Sequence, residues 1–484
     1  MTGLDGDDVA SHSDTLDGWF WCSGSPARRG AGSLTCARGA RPVLILDRPV
    51  VDEPGVRFEV SATGMMITTS GQVEDRVAAW EPIDFHGELE NGKAVTVLGA
   101  QGGYDRGLAV LFGHRYEARF VLLGARVSPD HRYDGVRFRL ANHEGWRGLT
   151  PHDCAAIDDR SELSVHRDET DDENTELWLL YTCTAPKTLR ELLDSVVGGS
   201  QALARLITGS SVPVTDVQVH AVGGDWLQVF SEHTYENPEL AGRAKLLGPD
   251  VLTIEALATW MRIYDDLDGL PWGVIEPPQG AAQVELLTVA SIAEGLHRRL
   301  GKRQKRFHLS NGAIARVRRA AREAGIAQFD TEQLADPSLA HQILTEKLAH
   351  LEDVTFRDRL DELVARAVAI VPEAIESIPD FVGNTSRARD ELAHHLVKLG
   401  EPLDVRVLRW ATLTMTLDWV LRIFLLDVAG IPADRIRTDL LGVRRFQFHR
   451  ANVRSHARQI GWLPVLTPEA AGHAAGGPSD RSQD

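Results

Sequence analysis

The sequence predicts an α+β multidomain chain, with an antiparallel β-rich, sandwich-like region followed by an all-α helical bundle. Three observations carry this reading. The chain's 484 residues exceed what one hydrophobic core usually serves. Short apolar–polar alternations separated by Gly-containing turns fill residues 18–146, the signature of half-buried strands. From about residue 284 to 462 the apolar residues recur every three to four positions instead, the period of amphipathic helices.

Residues 1–14 are polar and acidic and lack an apolar core, so they are expected to be disordered and not a signal peptide. Strands are expected at Val43-Leu44-Ile45-Leu46, Val56-Arg57-Phe58-Glu59-Val60, Met66-Ile67-Thr68-Thr69, Val95-Thr96-Val97-Leu98, Ala118-Arg119-Phe120-Val121-Leu122 and Val136-Arg137-Phe138-Arg139-Leu140. Their spacing favours an antiparallel sandwich or barrel over a parallel α/β fold. Trp19, Phe20 and Trp21 are expected in its core.

A sub-boundary near 150–175 opens a second mixed part. Leu177-Trp178-Leu179-Leu180-Tyr181 and Val217-Gln218-Val219-His220 read as strands. Between them Pro186 is read as opening a helix through Leu189, Leu192, Leu193, Val196 and Val197. Pro277-Pro278-Gln279-Gly280 reads as a linker, which sets a β-rich region at 15–283 and a helical domain at 284–462. Helices are expected around Leu286 to Leu296, Ile314 and Val317, Leu360 to Val368, a short one near 386–399, and a long one through Leu408, Leu417 and Phe424. The tail, 463–484, is poor in large apolar residues and is expected to be loose.

A net charge of −17 argues against a chain that coats nucleic acid along its whole length. The charge is uneven, however. Residues 285–462 carry 27 Lys/Arg against 23 Asp/Glu, a net of +4, which leaves −21 on the remainder. Cys22, Cys36, Cys154 and Cys183 are scattered with no Cys-x-x-Cys pair, so reduced thiols are expected, with no zinc ribbon. The most apolar stretch, 410–431, is broken by Asp418, Arg422 and Asp427, charges too costly for a bilayer centre. No membrane span is expected, and the protein is placed in the cytoplasm.

The helical part contains Asn384-Thr385-Ser386-Arg387-Ala388-Arg389-Asp390-Glu391-Leu392-Ala393-His394-His395-Leu396. Within it lies Arg389-x4-His394, a spacing that also occurs at Arg126/His131, Arg147/His152, Arg303/His308 and Arg444/His449. Context separates them. Only Arg389 is followed by an acidic residue, precedes a small residue before the His, and sits in a helical apolar pattern with Asn384, Thr385 or Ser386 as a candidate N-cap. The plain alternative is a solvated helix whose Arg389, Asp390 and Glu391 face water.

The Arg-Asp-x-x-Ala-His text, in an all-helical C-terminal domain with a long hydrophobic helix, resembles the HEPN superfamily of ribonucleases and nucleotide-binding domains. The rest of the chain is similar to ApeA-type anti-phage HEPN proteins. That likeness rests on Gly18-Trp19-Phe20-Trp21, Leu44-Ile45-Leu46, Gly64, Val95-Thr96-Val97, Gly124 and the stretch from Phe138 to Trp146. Two departures stand out: Gly124-Ala125-Arg126 where the family often has Gly-x-His, and Asp390 where Asn is frequent.

The resemblance implies metal-independent, cofactor-free endoribonuclease cleavage of RNA, tRNA among the candidates, within abortive anti-phage defence. It also implies a toxin acting as a homodimer with a composite active site, under control of an N-terminal sensor answering a phage-derived trigger. His suits the proton transfers because its unperturbed pKa, about 6.5, lies near neutrality. Arg supplies a permanent, planar cation for the phosphate charge. Thus His394 is cast as general acid or base, Arg389 as phosphate clamp, and Asp390 as the residue orienting one of them or contacting the second subunit. His395 ranks second to His394. Residues five apart differ by about 140° around a helix, so Arg389 and His394 would converge only across two antiparallel copies. The rival reading is a non-catalytic HEPN scaffold that dimerises or binds nucleotides, joined to a β-sandwich ligand-recognition module.

A basic run from His297 to Arg322 has no acidic residue, and its Arg298, Arg299, Lys302 and Arg303 are the candidate RNA-binding residues. The alternative is a solvated face, or one that the acidic N-terminal region masks. Glu294 reads as a surface residue, with a brace for Arg389 as the second possibility. Gly99-x-x-Gly102-Gly103 lacks the Lys-Ser/Thr of a phosphate loop and reads as a hairpin turn. No Gly-x-Ser-x-Gly or His-Glu-x-x-His occurs, which removes support for serine-hydrolase and zincin chemistry.

Overall fold

The structure is a computed structural model. It describes residues 13–48, 50, 56–61, 64–69, 81–103, 114–141, 146–167, 177–234, 245–301, 305–331, 337–394 and 401–464. Two compact units emerge, Met1–Asp265 and Asp266–Asp484.

The first unit is built on antiparallel strands. β1 (Ser13–Cys22), β2 (Gly30–Ala37), β3 (Val43–Leu46), β6 (Ile83–Leu89), β7 (Ala94–Gly103) and β8 (His114–Glu117) pair in the ring β7-β6-β1-β2-β3-β8-β7. Of the two antiparallel architectures left open by the alternating pattern, this part is therefore a closed barrel, which leaves none of these six strands as a free edge. Alternate residues point inward and fill it: Phe20, Leu34, Leu44, Leu46, Phe85 and Tyr116 are fully buried. Phe85 and Tyr116 pack at 4.9 Å between ring centroids. Trp19 and Trp21 correct the core expectation, because both alternate outward: Trp21 is buried beneath Arg29 and Arg126, which lie 4.5 and 5.0 Å from its ring, and Trp19 is 53% exposed. β4 (Val56–Ser61) and β5 (Gly64–Thr69) form a separate two-stranded sheet.

The glycines at 99–103 correct the hairpin-turn expectation, because they lie inside β7. Gly99 at φ +62 and Gly102 at φ +140 bend the strand. A Cβ at Gly102 would fall 2.3 Å from the Arg115 carbonyl oxygen. The bend lets Val95–Leu98 pair with β9 (Phe120–Leu123) while Gln101–Gly103 pair with β8, which closes the ring.

From β9 the sheet continues through β15 (Trp226–Phe230), β14 (Val214–Ala221), β10 (Arg132–Leu140), β13 (Trp178–Thr188) and β12 (Ser161–His166) to β11 (Cys154–Ala156). Pro186 lies within β13 and does not open the helix. Thr188 does, in a capping box with Glu191. A π-helical turn (Leu192–Val197) then packs on β10 and β13 before α1 (Gly198–Thr208) and, later, α2 (Ile254–Tyr264).

The second unit is helical. It comprises α3 (Leu270–Ile275), α4 (Ala282–Leu300), α5 (Asn311–Thr331), α6 (Pro337–Ala349), α7 (Phe356–Ile370), α8 (Phe381–Ala393), α9 (Leu403–Val428), α10 (Ala433–Gly442) and α11 (Arg444–Gln459). α9 is about 39 Å long and is buried on nearly every side, against α4, α7 and α11. Among the described residues no helix is long and apolar enough to cross a membrane.

His449, of the Arg444/His449 pair, is part of this core. Its ring lies 5.9 Å from Phe446 and 5.7 Å from Trp419, and Nε2 has no hydrogen-bond partner among the described residues. Burial pushes its pKa down to about 4. The unfolded chain therefore takes up this proton first as pH falls. The contribution of neutral His449 is intact above about pH 6.5 and is lost towards pH 4, a penalty of about 3 kcal/mol. Thermal unfolding at pH 7 and pH 4.5 should show a larger loss of Tm in the wild type than in His449→Phe. Equal losses would remove this account.

Candidate functional site

The site begins at the start of α8. Asp380, in the left-handed region at φ 43, caps the helix by accepting from the Gly383 N–H at 3.1 Å. A Cβ at Gly383 would fall 2.1 Å from the Asp380 carboxylate, so this cap requires glycine. The cap is therefore Asp380 and not Asn384, Thr385 or Ser386, and the helix runs Phe381–Ala393 instead of 386–399. Asn384 instead donates to the Pro379 carbonyl at 2.6 Å and accepts from Arg387 at 2.8 Å. Phe381, Thr385 and Ala388 form the buried stripe, at i, i+4 and i+7.

Arg389 follows this stripe and is held from three directions. Nη1 donates to Asp390 Oδ1 at 3.0 Å, and Nη2 lies 3.8 Å from Glu294 Oε2 on α4. The guanidinium sits over the Phe356 ring at 5.3 Å, a cation–π seat that fixes the plane of the fork. Its side chain keeps 32% of its surface exposed. Glu294 thus faces Arg389 across the helices, the second of the two readings open for it. The same carboxylate accepts from Arg298 at 2.6 Å and 3.2 Å, one turn along α4.

Behind this cluster lies a layer that nothing in the sequence pattern singles out. Arg359 of α7 donates from Nη1 to His297 Nδ1 at 3.2 Å, and His297 Nε2 meets Glu362 Oε2 at 2.8 Å. Arg can only donate, so Nδ1 accepts and the ring proton sits on Nε2. Burial and the neighbouring Arg298 hold the Arg359 pKa below its ordinary value. The signal for His297 and Arg359 is their fall on the apolar faces of α4 and α7, where a charged residue needs partners.

His394 is different in kind. It is the C-cap residue of α8 at φ −114, ψ 9, with its backbone N–H on the Asp390 carbonyl at 3.1 Å. Its side chain is exposed and hydrogen-bonds to none of the described residues. Within one chain, then, Arg389 is engaged and half-buried, His394 is open to solvent, and no hydrogen bond joins them. His395 lies outside the described residues.

Residues 287–435 match the family model described as Apea-like HEPN. This stretch is an Apea-like HEPN domain. It runs from α4 into α10 and so contains Glu294, Arg298, Arg359, Arg389, Asp390 and His394. No curated protein and no solved structure matches the chain. Of the basic run that enters this HEPN domain, Arg298 is ion-paired as described. Arg299 donates to Asp268 at 2.9 Å and to the Asp266 carbonyl at 2.6 Å. Lys302 and Arg303 lie outside the described residues.

Proposed function

We propose that this HEPN domain is a metal-independent RNA endonuclease of anti-phage defence, with Arg389, His394 and Asp390 as its working residues. The observation that carries the reading is the pairing of a fixed, half-exposed guanidinium with an exposed, uncommitted imidazole in the Arg-Asp-x-x-Ala-His segment of the matched family. Arg389 has its fork set by Phe356, Asp390 and Glu294, and offers its remaining N–H groups to a phosphate.

His394 takes the proton from the ribose 2′-hydroxyl as its oxygen attacks the adjacent phosphorus. Arg389 stabilises the charge on the pentavalent phosphorus. The bond to the 5′-oxygen breaks, that oxygen takes a proton from water, and the products carry a 2′,3′-cyclic phosphate and a 5′-hydroxyl; His394 then returns its proton to solvent. No hydrogen bond joins the two side chains within one chain, and in this reading the working site is composite, with Arg389 of one copy and His394 of another facing the same phosphate. In this reading RNA, including tRNA, is the substrate. The β-barrel unit is the regulator that answers a phage-derived trigger, and the nuclease acts as a toxin in the cytoplasm.

The test is direct. The purified full chain is expected to cut RNA in excess EDTA and to leave 2′,3′-cyclic phosphate ends, read by resistance of those ends to ligation until they are opened. A strict divalent-metal requirement overturns the mechanism.

A further inference from the structure

The basic run divides in two once each cation's partners are known. Arg298 and Arg299 are bound within their own unit, and so are the next members. Lys305 reaches Glu352 at 3.5 Å, Arg306 lies 3.5 Å from Asp358, and Arg318 donates to Glu352 at 3.1 Å and to the Ala349 carbonyl at 2.6 Å. Arg316, Arg319 and Arg322, all on α5, have no ion pair or hydrogen bond to any described residue, and Arg316 and Arg319 are exposed. Three-residue steps along a helix advance about 4.5 Å each and turn back by about 60°, so the three Arg positions run about 9 Å along α5 on an arc of about 120°. Ala315, Ala320, Ala321 and Ala324 around them are exposed alanines, and Val317 is 45% exposed.

The segment leading into α5 supplies the second half of the pattern. Ser310 caps the helix, accepting from the Ala313 N–H at 3.3 Å, and the Arg306 N–H donates to the Glu352 carbonyl at 2.7 Å. These two anchors hold Phe307, His308 and Leu309 between them, and all three are exposed. Phe307, nine residues before Arg316 in the chain, presents 40% of its surface to solvent. An exposed aromatic ring in the segment that enters α5, ahead of arginines with no partner among the described residues, offers what single-stranded nucleic acid requires: a surface for an unpaired base and cations for the backbone.

We propose that the N-terminal half of α5 and the segment before it dock single-stranded RNA, with Phe307 stacking an unpaired base and Arg316, Arg319 and Arg322 tracking the phosphates. The inference rests on the nuclease reading for its choice of RNA as ligand, and it moves the docking surface away from Arg298 and Arg299, whose charges are already neutralised.

Binding is measured on the full chain carrying His394→Ala, so that the probe survives. The probes are a fluorescent 20-nucleotide single-stranded RNA and a duplex of equal length, each across a salt series. R316Q/R319Q/R322Q is expected to weaken single-strand binding at least about ten-fold at 0.1 M salt. It should also reduce the slope of log K against log salt by about 2, at roughly 0.7 per lost contact. The triple Lys variant should keep the slope. Phe307→Ala should weaken binding about five-fold or more and leave the slope unchanged.

The proposal is overturned if the triple Gln variant and Phe307→Ala bind like their parent, or if the duplex binds as tightly as the single strand. It is also overturned if the triple variant loses binding only because a dimer falls to monomer by sedimentation, since the stripe would then be a contact between copies. The two readings fail separately. Cleavage by the wild type with unchanged binding in the α5 variants removes the docking surface alone. Lost binding in those variants, with cleavage untouched by Arg389→Ala, removes the active-site assignment alone.

Discussion

Arg389→Ala and His394→Ala, each in the full chain, are expected to lower RNA cleavage by about 10²–10⁴-fold. His394 is solvent-facing and has no partner among the described residues, so His394→Ala should unfold within a degree or two of the wild type, whereas Arg389→Ala also gives up the contacts to Asp390, Glu294 and Phe356 and should lose somewhat more. Arg389→Lys is expected to remain at least about ten-fold impaired, because an ammonium cannot reproduce the planar fork that Phe356 and Asp390 orient. Asp390→Asn keeps an acceptor oxygen for Arg389 Nη1 and should be mild. Glu294→Gln removes the charge that Arg389 and Arg298 share. It should lower kcat more than it raises KM, as expected of a residue that positions the clamp without touching RNA. The Arg389→Ala/His394→Ala double variant should be little worse than the poorer single one, because the two groups act on one phosphate. Mixing the two inactive singles tests the composite site. A composite site regains part of the activity on mixing, since a heterodimer carries one intact Arg389–His394 pair, whereas a site within one chain regains none. Wild-type rates in both singles would end the assignment.

The two periodicities were enough to read the order of the elements, because alternation and helical spacing are local properties of the chain. The apolar run Val43–Leu46 is a strand as expected, and the expected Val136–Leu140 forms the second half of the longer strand Arg132–Leu140. Closure of the barrel was not legible. It depends on Gly99 and Gly102 bending one strand so that it serves two partners, and glycines in a row look the same in a hairpin turn. The start of α8 was missed for a related reason. Asn384, Thr385 and Ser386 are good capping residues, but Asp380 with Gly383 three residues later makes the tighter cap, and the polar trio is absorbed into the first turns. The charge pattern overstated Arg298 and Arg299. Net charge counts cations, whereas availability depends on which carboxylates lie within reach in three dimensions, and Glu294 and Asp268 are such neighbours. Glu294 was legible as an i,i+4 partner of Arg298, but its reach to Arg389 depends on how α4 packs against α8.

Arg422→Leu is expected to destabilise the helical unit by about 1–3 kcal/mol, the cost of leaving buried polar groups without the donor and the nearby cation that act on them. α9 is apolar on nearly every face, and the charges that interrupt it come into the interior with it. Arg422 is 3% exposed and donates from Nη2 to the Val274 carbonyl at 3.1 Å, tying α9 to α3. Asp418, one turn earlier, has a buried Oδ1 that no hydrogen bond reaches. Burial drives the Asp418 pKa up and the Arg422 pKa down, and each charge opposes the shift of the other. With Arg422 gone, Asp418 keeps only Arg445 of the two cations that act on it, and the Val274 carbonyl loses its donor. Asp418→Leu/Arg422→Leu should recover most of the loss, since replacing both charges by apolar side chains is often neutral or stabilising. Urea unfolding of the four chains closes a double-mutant cycle, and a coupling below about 1 kcal/mol would show that the pair is not a unit. The pH dependence supplies an independent check of sign. In Arg422→Leu the folded-state Asp418 pKa lies above its unfolded value, so the folded chain takes up the proton first as pH falls. The penalty should therefore be greatest near neutrality and shrink towards acid. His449 pulls the other way over the same range, so the wild type should weaken on acidification while the gap between it and Arg422→Leu narrows.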